Sequence, residues 1–223
     1  MDVYLEAGTK RVFAGAIAWP GLCRTARDEE AALAALLACA ERYASVVNGA
    51  DLRPAFTAPK GAADLRIVER LTGDATTDFG APSIAPAADA SPVEPADLRK
   101  LRALMERSWA ALDRAARRAS GVELAKGPRG GGRQLDAVLE HVIAAEAAYT
   151  RRIAVRASPG SSAEGGSHAA LRPAVLVGLT KAVTDGVPAA GPRGGAMWSP
   201  RYFVRRAAWH VLDHAWEIED RST

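Results

Sequence analysis

The chain has 223 residues, 48% apolar and 25% charged, with a net charge of +3. That length buries a core without disulfide or metal staples and accommodates two small domains. So slight a basic excess makes no electrostatic case for nucleic acid, and no run nears the ~18 apolar residues of a membrane helix. The basic side chains are mostly arginine and alanine is abundant, which reads as compositional bias rather than function.

Residues 1–80 read as a small α+β unit. DVYLEA and RVFAGAIAW are short runs rich in β-formers, and Gly8, Thr9 and Lys10 between them suit a hairpin. Asp28, Glu29 and Glu30 open an Ala/Leu-rich helix reaching about Val47, with acidic side chains at the positive end of its dipole. A further strand is expected over residues 64–71, giving the order strand, strand, helix, strand. Cys23 and Cys39 fall in no CxxC motif and read as reduced core thiols. MDVYLEAGTK lacks a basic-then-apolar signal pattern, so the expected location is cytoplasmic.

Composition changes over residues 76–96, which carry Pro82, Pro86, Pro92 and Pro95 with few large apolar side chains. The segment reads as a linker draped over the surface, with residues 81–95 separating two domains. From 96 to 223 the pattern is helical. The first helix, 95–119, carries Leu98, Leu101, Leu104, Met105, Trp109 and Leu112 at three- and four-residue spacing, one buried stripe. Breaks at 127–132, 158–166 and 186–196 separate helices expected at 134–155, 167–184 and 200–220. Ser199 followed by Pro200 is a strong helix start. The expected fold is an α+β N-terminal domain followed by an all-α four-helix bundle.

Three of the four histidines fall on the second and fourth of these helices. His210 and His214 in WHVLDHAWE are four apart, so their rings sit one turn apart on one side, with Phe203, Ala207 and Glu217. Trp209 and Trp216 share a different stripe. His141 lies on a small, apolar face with Val138, Ala145 and Ala148, and should point inward. Each histidine alone is either a core residue or a ligand. Together the three predict a site for a divalent metal, with zinc first and nickel or iron after it. Three protein ligands plus water is the pattern of an open, catalytic type of site.

A histidine on the second helix and HxxxH on the last resembles the DinB/YfiT-like superfamily of metal-binding four-helix bundles. RYFVRRAAWHVLDHAWEIEDR is especially similar to one bacterial branch of DinB-like proteins. The resemblance covers about residue 95 to the C-terminus and implies metal ligation by His141, His210 and His214. It also implies thiol-dependent transfer or isomerisation, with a low-molecular-weight thiol such as mycothiol, bacillithiol or glutathione, a small-molecule substrate, and pairing as a homodimer. Some mycothiol-dependent members place Glu at the first position of the last-helix motif, where this chain has His210. FAGAIAWPGLCRTARDEEAALAALLACAERY is similar to the start of HicB-like antitoxin domains.

Around the trio, Glu217 lies three residues after His214. It reads as an acceptor for a ligand N–H or a base toward bound water, or else as a partner of Arg206 or a solvated carboxylate. Asp213 reads as solvated or salt-bridged. Tyr149 either packs with its hydroxyl at the bundle edge or donates to a substrate oxyanion. His168 is an exposed cap-region residue or a fourth ligand. Arg205 and Arg206 form a charged helical face or a binder for a carboxylate. The GPRGG runs at 127–131 and 191–195 lack the Lys-Ser/Thr of a P-loop. The readings in contention are a metal-dependent thiol transferase or isomerase with Glu217 in its chemistry, and a non-catalytic metal-binding or partner-binding module. Nucleic-acid binding through the HicB-like piece is a third.

Overall fold

A computed structural model describes residues 1–49, 52–127, 132–155, 168–192 and 194–222, with backbone alone at 168–170. The expected loop at 158–166 and most of the GPRGG run at 127–131 lie outside the described residues. The chain begins with β1 (Asp2–Ala7), β2 (Val12–Ala16) and β3 (Cys23–Ala26), continues into α1 (Glu29–Val47), and returns through β4 (Arg66–Thr72). The four strands form one sheet ordered β3-β2-β1-β4. β2 is antiparallel to both neighbours, and β4 runs parallel to β1. The turn between β1 and β2 closes where the Gly8 N–H donates to the Arg11 carbonyl at 2.9 Å. Asp28 caps α1 by accepting from the Ala31 N–H at 2.8 Å.

Sequence reading missed β3. Its four residues, CRTA, bury only Cys23, so neither alternation nor an apolar run marks it. β1 and β2 are buried on both faces, and period-two alternation sorts their side chains. Val3, Leu5, Val12, Ala14 and Ala16 pack with Leu36, Ala40 and Tyr43 of α1. Tyr4, Phe13 and Cys23 face the other way.

That second face is covered by the last helix. The chain continues through α2 (Ala75–Phe79), α3 (Pro95–Arg118), α4 (Leu135–Thr150), α5 (His168–Thr184) and α6 (Pro200–Arg221). In α6 the Ser199 hydroxyl accepts from the Tyr202 N–H at 3.1 Å and Pro200 occupies the first turn. α6 is buried nearly all round. One side packs with α3, α4 and α5 around Met105, Leu112, Val142, Leu179, Phe203 and Val211. The other lays Trp209 edge-on against Phe13, with ring centroids 6.0 Å apart, and carries Leu212 and Trp216 into the α1–sheet core. Helices α3, α4, α5 and α6 therefore share one apolar core. α4 is shorter than expected, ending in a 3-10 turn at Arg151–Ile153 where Ala154 takes a left-handed φ of 62°.

The proline-rich segment is pinned at two buried carboxylates. Glu6 of β1 accepts from the Ser83 N–H at 2.9 Å and the Ile84 N–H at 3.2 Å. A 3-10 turn, Ala87–Ala90, carries Asp89 onto Arg205 of α6. Arg205 donates to Asp89 from Nε at 2.7 Å and Nη2 at 2.8 Å, and to the Ala16 and Ile17 carbonyls at 2.7 and 2.8 Å. Arg205 is therefore a buried cross-link rather than part of a solvated face. Among the described residues, no helix is long and apolar enough to cross a membrane.

Candidate metal centre

Two helices bring the histidines together. α4 supplies His141, and successive turns of α6 supply His210 and His214, the first only 6% exposed. One ring nitrogen of each lies within 4.8 Å of the others. Ring centroids are separated by 5.0 Å (His141–His210), 5.0 Å (His141–His214) and 4.6 Å (His210–His214). The Nε2 atoms of His141 and His210 stand 3.2 Å apart. A tetrahedral ion bonded at about 2.0–2.1 Å sets its nitrogen ligands roughly 3.4 Å apart, so this pair already spans one edge of such a site. His210 Nδ1 is buried and takes no hydrogen bond among the described residues.

The charge states suit ligation. Burial, then the neighbouring His214, Arg206 and His141, push His210 down to about 2, so its ring is neutral across the physiological range. Burial also lowers His141, with His214 and Arg133 adding to it. Neutral imidazole is the form that donates a lone pair to a metal. The hydrogen bond with His214 holds Glu217 below the usual carboxylate range, and Arg221 adds to it. An ionised Glu217 can only accept, so His214 Nδ1 carries the proton it donates to Oε2 at 2.8 Å. Nε2 is then the His214 nitrogen left for a metal.

The other Glu217 oxygen accepts from Arg221 Nη1 at 2.6 Å. Arg221 Nε in turn donates to the Ala125 carbonyl at 2.7 Å, and the Ala125 N–H donates back to the Arg221 carbonyl at 2.8 Å. Glu217 thus sits where it fixes the His214 ring, and Arg221, not Arg206, is its cationic partner. Sequence reading passed over Arg221, although its place four residues after Glu217 is the spacing of a helical ion pair.

An aromatic wall stands beside His210. The Tyr149 ring lies 5.8 Å from His210 and 5.2 Å from Trp198, which contacts Tyr202 at 5.0 Å. Arg206 is buried between Tyr149 and Trp209, its Cζ 5.2 and 4.6 Å from those ring centroids. Trp109 Nε1 donates to Glu146, another buried carboxylate, on α4. Asp213 faces away from the trio and pairs with Arg24 of β3 at 2.7 Å. The His168 side chain lies outside the described residues. Comparison with family models, curated proteins and solved structures finds no match for this chain.

Proposed function

We propose that this protein binds a divalent metal ion through His141, His210 and His214, and acts in thiol-dependent transfer to, or isomerisation of, a small-molecule substrate. The observation that carries the reading is the convergence of three imidazoles from two helices, two of them with Nε2 atoms 3.2 Å apart. Helices α3 to α6 then constitute a DinB-like four-helix bundle, as the resemblance implies. An all-nitrogen donor set favours zinc, with nickel or iron after it.

When bound, such an ion supplies Lewis acidity that lowers the pKa of a coordinated thiol or water. The chain's residues do the rest. His141, His210 and His214 offer lone pairs, and Glu217 keeps the His214 proton on Nδ1. Tyr149 covers His210, with Trp198 packed behind it, and restricts water on that side. A wholly neutral ligand set favours an anionic fourth partner, which a thiolate supplies. Both cysteines are buried and free, which fits a reducing, cytoplasmic setting.

Metal content of the purified protein, set against the His210→Ala/His214→Ala variant, tests the site. Stoichiometric metal retained by that variant overturns it. Incubation with low-molecular-weight thiols and electrophilic acceptors tests the reaction, and absence of metal-dependent turnover with every pair overturns the enzymatic half. One observation favours a second reading, a structural metal. Through Glu217 and Arg221 the site is tied to Ala125, the chain just past α3. A large fall in thermal midpoint on chelation, without turnover, selects that reading.

A further inference from the structure

A cleft of about 350 Å³ opens where α1, α3 and α6 meet. It is lined by Trp216 and Glu219, which lie on the opposite side of α6 from His210 and His214. Arg107, Arg114 and Arg118 come from a single stripe of α3, seven and four residues apart, and Arg42 of α1 faces them. Among the described residues the lining holds one carboxylate, Glu219. It is already shared between Arg42 at 2.6 Å and Arg118 at 4.0 Å. Asp220, beside it, pairs with Arg42 at 2.8 Å.

The arginine stripe is not self-compensating. Ala110, Ala111, Arg117 and Arg118 occupy the positions three and four residues from Arg114, and Arg118 has Arg114, Ala115, Gly121 and Val122. Neither therefore has a carboxylate at helical ion-pair spacing, and Arg114 and Arg118 repel each other across one turn. Arg114 makes no hydrogen bond or ion pair among the described residues. Like charges gathered around a concave space are relieved by an anion.

We propose that this cleft binds a small, multiply charged oxyanion: the phosphate or diphosphate group of a phosphorylated small molecule. Guanidinium forks converging from two helices offer more N–H donors than the two oxygens of a carboxylate accept, and match a phosphate with several terminal oxygens. The volume lies at the lower end of small-molecule pockets. A single-stranded nucleic acid would need exposed rings on which to stack its bases. Trp216, the aromatic residue of the lining, is buried, with Arg24 4.3 Å from its ring centroid.

Inorganic pyrophosphate titrated calorimetrically into the full-length protein, at constant ionic strength near about 0.15 M, tests the inference. The informative variant is Arg114→Gln/Arg118→Gln, since both side chains are exposed and their loss leaves the core intact. A charge-matched control, Arg99→Gln/Arg117→Gln, removes two exposed arginines of α3 that do not line the cleft. Any pyrophosphate bound at the histidines contributes equally to all three proteins. Saturable binding that weakens about tenfold or more in the cleft variant, and less than about twofold in the control, is the expected result. Equal affinity in wild type and cleft variant overturns the proposal, as does equal loss in the two variants, or no binding at about 10 mM ligand. An oligonucleotide that binds more tightly than pyrophosphate and depends on Arg114 and Arg118 overturns the small-molecule assignment.

Discussion

Acidifying the metal-free protein isolates the cost of burying His210. Its ring is 6% exposed and its pKa is pushed down to about 2 by burial first, with His214 and Arg206 adding to it. In the unfolded chain the same imidazole titrates near 6.5. Above pH 6.5 it is neutral in both states, and folding carries no penalty. As the pH falls below 6.5 the unfolded chain takes up a proton that the folded chain refuses, so stability falls by up to about 1.4 kcal/mol per unit. Between pH 6.5 and 4.5 the loss is about 2.3 kcal/mol, a fall of roughly 5–9 °C in thermal midpoint for a chain of this size. The lowered His141 acts in the same direction. Urea unfolding of chelator-treated protein at pH 7.5, 6.5, 5.5 and 4.5 measures the slope, and His210→Gln removes the titrating group. The wild type should lose stability more steeply than the variant throughout this window. Equal slopes would refute the reasoning, because they would mean that His210 is hydrated and protonates in the folded state.

Three further outcomes follow from the contacts. Among the described residues, Asp89→Ala leaves the buried Arg205 guanidinium with the Ala16 and Ile17 carbonyls as its hydrogen-bond acceptors and no carboxylate. It should cost about 3–5 kcal/mol, or roughly 6–20 °C in thermal midpoint by circular dichroism, and a fall under about 2 °C contradicts the burial of the pair. Glu217→Gln should weaken metal affinity by about 10–100-fold in competition with a chromophoric chelator, by loosening the His214 ring; unchanged affinity removes Glu217 from the site. Gly15→Ala would set a Cβ 2.4–2.6 Å from the ring edge and hydroxyl of Tyr4. It should cost about 1–3 kcal/mol in urea unfolding, with much of that loss recovered by adding Tyr4→Leu, whereas simple additivity would show that the ring is not the obstacle.

What could be read from sequence were the local features. The four-residue spacing of His210 and His214, the Ser199-Pro200 helix start and the stripe from Leu98 to Leu112 are properties of a single helix, and periodicity exposes them. What escaped depends on partners distant in the chain. Arg205 reads as surface charge until Asp89, 116 residues earlier, is brought against it. β3 has too few apolar residues to announce itself and owes its conformation to pairing with β2. The proline-rich stretch lacks a periodic pattern, yet Glu6, Ser83 and Asp89 hold it at fixed points.

The buried arginines of α6 explain why the sheet belongs to the account of the histidine site. A helix buried nearly all round would ordinarily be apolar throughout. α6 instead carries Arg205, Arg206, His210 and Arg221 into the interior, and each brings a desolvation cost that only specific partners offset. Arg205 finds its partners in β2 and the proline-rich segment, and Arg221 finds its own in Glu217 and the chain past α3. These contacts lie about one turn before and two to three turns after His210, so they fix the rotation of α6 about its axis. That rotation decides whether His210 and His214 meet His141. A slip of one residue, about 100°, would carry both rings off the His141 side and Trp209 off Phe13 together. The Phe13–Trp209 packing and the His141–His210 approach are therefore two consequences of one helix orientation. Disrupting the sheet-side contact should loosen the histidine geometry without touching a ligand.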